Sequence, residues 1–153
     1  MLWNAKNGSV PVGSTEMSYV SFGYGKKHLV ILPGLSDGLT TVKGKALLLA
    51  KPYQIFFDRY TVSMFSRKDD MPDGYSIRDM ADDQAGAMKT LGMTGASVLG
   101  VSEGGMIAQC LAAKYPDLVE KLIIAVSAPA CNGIIKTVSR DGLNLRAGQT
   151  INS

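Results

Sequence analysis

The sequence predicts an α/β domain with a mostly parallel sheet of about six strands and helices on both faces, and three observations carry that expectation. Residues 29–32, 98–101 and 121–127 hold short apolar runs rich in Val, Ile and Leu, the composition of strands buried on both faces in a parallel sheet. Between them, apolar residues recur at helical spacing and stop at Pro or Gly, as at Gly92 and Pro116. Strands alternating with helices in this way belong to the α/β class. A length of 153 residues with 46% hydrophobic and 19% charged content suits a single domain, residues 1–153, able to bury a core.

Taken in order, residues 13–22 place Met17, Tyr19, Val20 and Phe22 among polar neighbours before Gly23 and Gly25, a strand and a tight turn after which an antiparallel hairpin partner is expected. Residues 29–32 form a central strand with His28 at its amino end, and the loop 33–38, Pro33-Gly34-Leu35-Ser36-Asp37-Gly38, leaves its carboxyl end. Residues 42–59 are dense enough in apolar side chains for a buried helix, which Pro52 should bend or split. Residues 60–66 alternate as a strand, and the polar loop 67–75 reads as solvated. Ser76 caps a helix with Asp79 at the third position, and Gly92 stops it. Asp79, Asp82 and Asp83 lie in its first turns and offset the helix dipole; no histidine or fourth oxygen ligand makes them a metal site. Strand 98–101 and a helix from Ser102 to Pro116 follow, then a turn at 116–120 and a strand at 121–127. Ile134, Ile135 and Val138 start one more helix, broken at Gly142, and residues 149–153 carry no pattern.

Composition excludes several partners. The net charge is +3, with basic and acidic residues interleaved, so no basic stripe tracks nucleic-acid phosphates. The first residues lack a signal-peptide pattern and no apolar run is long enough to span a bilayer, which makes the cytoplasm the default location and a membrane partner unexpected. Cys110 reads as a core residue and Cys131 as a loop residue, and their spacing is not that of metal ligands.

The chemistry concentrates where strand 98–101 meets the following helix. Gly100-Val101-Ser102-Glu103-Gly104 is GxSxG, which arises by chance in roughly one chain in ten of this length, so context must support it. That context is present: an apolar strand before, a helical pattern after. A strand that turns at once into a helix strains its corner residue and leaves no room for side chains two positions either side, which glycine meets. The corner hydroxyl then sits at a helix N-terminus, where developing negative charge is favoured. The glycine-rich loop 33–38 should emerge at the same edge and offer backbone N–H groups to a ligand oxygen. His28, the only histidine, lies at the amino end of its strand, the wrong edge for a base to Ser102.

From about residue 17 to residue 130 the chain resembles the N-terminal part of the α/β-hydrolase superfamily, in particular its small esterase-like serine hydrolases. Strand 29–32 with Pro33-Gly34-Leu35, the Ser76 helix, Gly100-Val101-Ser102-Glu103-Gly104-Gly105, Tyr115-Pro116 and Val119-Glu120-Lys121-Leu122 carry the likeness. The resemblance implies Ser102 as nucleophile, the backbone N–H groups of Glu103 and Leu35 as oxyanion donors, and Gly34 and Ser36 as substrate contacts, with Pro33 standing where the family has histidine. It implies ester hydrolysis through an acyl-serine intermediate on a small-molecule, ester-like substrate, without metal or organic cofactor. The family's later acid and histidine have no counterpart after Ser102. Residues 1–153 are therefore expected to be roughly the first half to two-thirds of such a hydrolase, with 131–153 the start of a lid or a disordered tail, and with an apolar strand edge left open after Val126. Weak activity, complementation by another chain or by oligomerisation, or a non-catalytic small-molecule-binding remnant of the same fold are the consequences.

Overall fold

Leu29, Val30, Ile31 and Leu32 are all buried, and because successive side chains of a strand face opposite sides, this one run needs cover on both. Val30 and Leu32 pack with Ala81, Ala85, Met88, Ile107, Ala108 and Leu111. Leu29 and Ile31 pack with Val42, Ala46, Ala50 and Phe57. The elements supplying that cover and the sheet between them follow from the computed structural model, which describes residues 2–34, 41–128, 131–139 and 146–147.

In chain order these are β1 (Lys6–Val12), β2 (Thr15–Phe22), β3 (Lys27–Leu32), α1 (Ala46–Ala50), β4 (Tyr60–Phe65), α2 (Ile77–Thr90), β5 (Ala96–Val101), α3 (Glu103–Lys114), β6 (Val119–Ala128), β7 (Cys131–Ser139) and β8 (Arg146–Ala147). They form one sheet in the order β1-β2-β4-β3-β5-β6-β7-β8. The central strands β4, β3, β5 and β6 run parallel. The α/β class, a mostly parallel sheet that includes β2 to β6, and the two covered faces are as the sequence predicts; β1 lies before the predicted strands, and β7 and β8 extend the sheet.

Two expectations are corrected. The hairpin partner of β2 precedes it: β1 pairs antiparallel with β2, from Lys6↔Ser21 to Val12↔Thr15, around a turn where Gly13 has φ 60°. Pro11 is tolerated because β1 is an edge strand. Gly23 and Gly25 serve a close approach instead, since a Cβ on Gly25 would lie 1.9 Å from the backbone carbon of Arg59. The chain there passes tightly over the entry to β4, and β4 lies between β2 and β3.

The helix expected from Ile134 is strand β7, which pairs antiparallel with β6 through Val126↔Ile134 and Leu122↔Val138. Ile134, Ile135, Thr137 and Val138 are β-branched and favour a pleated surface, and β6 offers them the open edge expected after Val126. Of the segment expected to begin a lid or tail, residues 140–145 and 148–153, including the patternless 149–153, lie outside the described residues.

Local signals explain the helices. Pro52 ends α1, and the chain continues as a 3-10 segment over Lys51–Phe56, the split that Pro enforces. At α2, the Ser76 hydroxyl accepts from the Asp79 N–H at 3.2 Å while the Asp79 carboxylate accepts from the Ser76 N–H at 2.8 Å, a reciprocal capping box. Ser76→Ala should cost about 1 kcal/mol and lower the thermal midpoint by roughly 2–4 °C, readable by circular dichroism.

The acidic cluster of α2 spends its charges on the fold. Asp82 accepts from Lys114 Nζ at 2.7 Å and Tyr115 Oη at 2.8 Å, tying α2 to the end of α3, and Asp83 accepts from Tyr75 Oη. The Lys114 bond holds the Asp82 carboxyl below its usual range, and Ser76 does the same for Asp79. A carboxyl depressed in the folded state contributes stability above its unfolded pKa and loses it as pH falls through the folded value. The thermal midpoint should therefore drop as pH falls below about 4, and Asp82→Asn should flatten that drop. The effect is modest because these groups are solvent-screened.

Candidate active site

Strand β5 ends at Val101 and α3 begins at Glu103, leaving one residue to turn the chain. That residue is Ser102, with φ 53° and ψ −120°, a left-handed conformation unfavourable by about 1–3 kcal/mol for a residue with a Cβ. Hydrogen bonds hold the corner from both sides. The Ser102 N–H donates to the Ala125 carbonyl at 3.2 Å, and its carbonyl accepts from the Gly105 N–H at 2.9 Å. Its side chain makes no cap bond to α3 and the residue is exposed.

The flanking glycines are required by contact. A Cβ on Gly104 would lie 1.9 Å from the Leu32 carbonyl oxygen, and one on Gly100 would lie 2.5 Å from the Gly104 oxygen and 2.6 Å from the Gly105 Cα. The first turn of α3 thus presses directly on the end of β3.

Parallel pairing of β3 with β5, ending at Leu32↔Gly100, brings the loop after β3 to the same edge as Ser102. Gly34 lies against the corner: a Cβ there would be 3.0 Å from Ser102 Cβ and 3.6 Å from Ser102 Oγ. The structure therefore brings Gly34, Ser102 and Glu103 together; Leu35 and Ser36 lie outside the described residues. His28 is at the other edge, level with Thr61 on β4 and one residue before the Leu29↔Ser97 pair. Six strand positions separate that level from Ser102, ~20 Å at about 3.3 Å per residue.

One residue of the site was not legible as such. Arg67, in the loop read as solvated, is only 8% exposed. Its Nη2 donates to the Pro33 carbonyl at 2.9 Å and reaches Glu103 Oε1 at 3.5 Å. Burial lowers its pKa, and the Glu103 carboxylate opposes that shift. The sequence signal was slight: Arg67 stands two residues past the carboxyl end of β4, the edge at which β3 and β5 also end.

A parallel sheet whose GxSxG corner carries a left-handed serine between strand and helix defines the class of protein, and comparison with known proteins agrees. A family model described as alpha/beta hydrolase fold matches residues 57–142, more than half of the chain. The chain belongs to that family. It is 30% identical over 125 residues to mouse "Serine hydrolase BPHL", covering 75% of this chain and 40% of that protein. It is 42% identical over 62 residues to RutD of Serratia proteamaculans, named as a carbamate hydrolase, covering 40% of this chain and 23% of that one. A crystal structure of a membrane phospholipase A superposes with a TM-score of 0.63 at 26% identity, over 80% of this chain and 40% of the other. The chain thus spans less than half the length of these relatives. No helix among the described residues is long and apolar enough to cross a membrane.

Proposed function

We propose that the chain carries the nucleophilic half of a serine hydrolase acting on carboxylic esters. Ser102 Oγ attacks the ester carbonyl carbon, and the carbonyl π electrons move to oxygen. That oxyanion is held by the backbone N–H groups of Glu103, at the N-terminus of α3, and of Leu35, with Gly34 and Ser36 contacting the substrate. Collapse of the adduct expels the alkoxide, which takes up the proton lost from Ser102, and water then cleaves the acyl-serine. The chemistry calls for no metal or organic cofactor.

The observation that carries this reading is the backbone of Ser102, an exposed serine at φ 53°. A serine placed for structure alone would be hydrogen-bonded or replaced by glycine, which adopts that conformation without strain. The proton on Ser102 needs a base, and the one histidine of these 153 residues is His28, at the far edge. Residues 1–153 therefore supply no imidazole at this edge, and for these residues alone the expected acceleration is the residual of about a thousandfold over water left when triad members are removed. The relatives named as serine and carbamate hydrolases support carbonyl chemistry of this kind.

Incubation with p-nitrophenyl acetate should release p-nitrophenolate and leave one acetyl group per chain, seen by intact mass, and Ser102→Ala should remove both. Equal acetylation of the Ser102→Ala chain would overturn the assignment. The distance of His28 from the corner favours one rival, a small-molecule-binding module that retains the corner for folding. That rival predicts a folded chain that never acquires the acetyl group.

A further inference from the structure

We propose that the outer face of residues 46–56 docks on an anionic lipid surface, lying in the headgroup layer without crossing the bilayer. This inference is independent of the serine-hydrolase reading. The segment comprises α1 and the 3-10 turns over Lys51–Phe56 that continue it. Its inner side follows helical spacing: Ala46 and Ala50 are buried with Phe57, and Leu49 and Tyr53 pack partly buried against them. A helix with such an inner face ordinarily turns charged and polar residues to solvent. Here the outward positions are mainly apolar: Leu47 is 50% exposed, Leu48 73% and Ile55 84%, joined by Pro52, against only Lys51 and Gln54 as polar ones. Single exposed apolar residues are normal, whereas several on one short segment mark a surface that is covered in use. Tyr24, also exposed, stands beside the end of the segment, its ring centroid 6.5 Å from that of Phe57. An apolar ring with a polar hydroxyl suits a boundary between acyl chains and water.

Charge and shape select the occupant. Residues 41–57 hold Lys43, Lys45 and Lys51 and no acid, and none of these lysines makes an ion pair among the described residues. The neighbouring β1, whose Asn7 Oδ1 accepts from the Ala46 N–H at 3.2 Å, adds Lys6 and no acid. An anionic headgroup layer complements that field, each lysine near it strengthening binding about fivefold. Lys43 and Lys51 are exposed on either side of Leu47 and Leu48 along the chain, so their ammonium groups can reach headgroups while their stems and the leucines sit among acyl chains. Shape argues the same way. Side chains exposed to this degree project from the surface, and a projecting anchor needs a matching pocket on a folded protein partner, which a fluid acyl layer does not require. The apolar run is far too short to span a bilayer, and a segment that lies in the interface needs no such length.

The test is co-sedimentation of the whole chain with vesicles of phosphatidylcholine alone or of equal parts phosphatidylcholine and phosphatidylserine. The parent should sediment with the mixed vesicles at low salt, bind the neutral ones far more weakly, and lose binding as salt screens the lysines. Combined Leu47→Gln, Leu48→Gln and Ile55→Gln should keep the parent's far-ultraviolet spectrum, since all three side chains are exposed, and should abolish sedimentation. Combined Lys43→Gln and Lys51→Gln should weaken binding to the mixed vesicles roughly thirtyfold, and this pair decides the matter alone if the first variant does not fold. A parent left in the supernatant with both vesicles, equal binding to both, or binding unaffected by either set of substitutions would overturn the proposal. So would a lipid-free parent dimer that becomes a monomer on substitution of Leu47, Leu48 and Ile55, a result that would assign the face to a second copy of the chain.

Discussion

Gly104→Ala is expected to leave the chain unfolded at 25 °C. The added methyl would sit 1.9 Å from the Leu32 carbonyl oxygen, 2.5 Å from the Leu32 carbonyl carbon and 2.9 Å from the Pro33 oxygen. All three are backbone atoms, so no rotamer change relieves the clash, and α3 would have to withdraw from β3 by more than an ångström. That withdrawal opens the packing of Ile107, Ala108 and Leu111 against Val30 and Leu32. A cost above about 4–5 kcal/mol belongs to the exceptional tail of single substitutions and takes most of a typical domain's 5–15 kcal/mol. Gly100→Ala meets the Gly104 oxygen at 2.5 Å and should be nearly as damaging. Gly105→Ala is crowded by the Ile124 Cγ2 methyl at 3.1 Å, with the Gly100 carbonyl oxygen at an ordinary 3.5 Å, and should cost on the order of 1 kcal/mol. Thermal melts of the three variants check this ranking, and equal effects would contradict the account of why the corner needs glycine on both sides.

The second large effect concerns Ser102 itself. Ser102→Ala should abolish covalent modification while leaving stability near the parent's, because alanine keeps both the Cβ and its strain. Ser102→Gly should abolish modification equally but raise stability by about 1 kcal/mol, a shift of roughly 2–4 °C in the thermal midpoint. Opposite signs for function and stability at one position are the mark of a residue held in a costly conformation for its chemistry. A glycine variant less stable than the alanine variant would show that the corner carries no strain to release.

Much of this architecture was legible because its signals are local and redundant. The apolar run at Leu29 to Leu32 has no polar position to expose, so it demands cover on both faces wherever it lies. Ser76 with Asp79 announces a helix start through one reciprocal pair of bonds, and Gly100 and Gly104 announce a close approach by lacking a Cβ. The misses were all decided at long range. Whether β2 finds its antiparallel partner before or after itself depends on which strand reaches its edge, and the Val10 and Val12 alternation in β1 was the only clue. Ile134 and Val138 sit at a spacing equally compatible with a helical face, and the open edge of β6 decided for a strand. Arg67 looked like any charge in a polar loop. Its burial comes from the convergence of the loops after β3 and β4 with the start of α3, elements separated by some 35 residues on either side.

Ser102 is proposed as a competent nucleophile because a backbone at φ 53° presents its side chain, with no cap bond to α3, at the edge where β3 and β5 end. The most direct measurement is reaction of the folded chain with a fluorophosphonate probe, followed by intact mass and peptide mapping. The account predicts one adduct per chain, located at Ser102 and missing from Ser102→Ala. A folded chain that stays unmodified, or one modified elsewhere with Ser102 untouched, would contradict it.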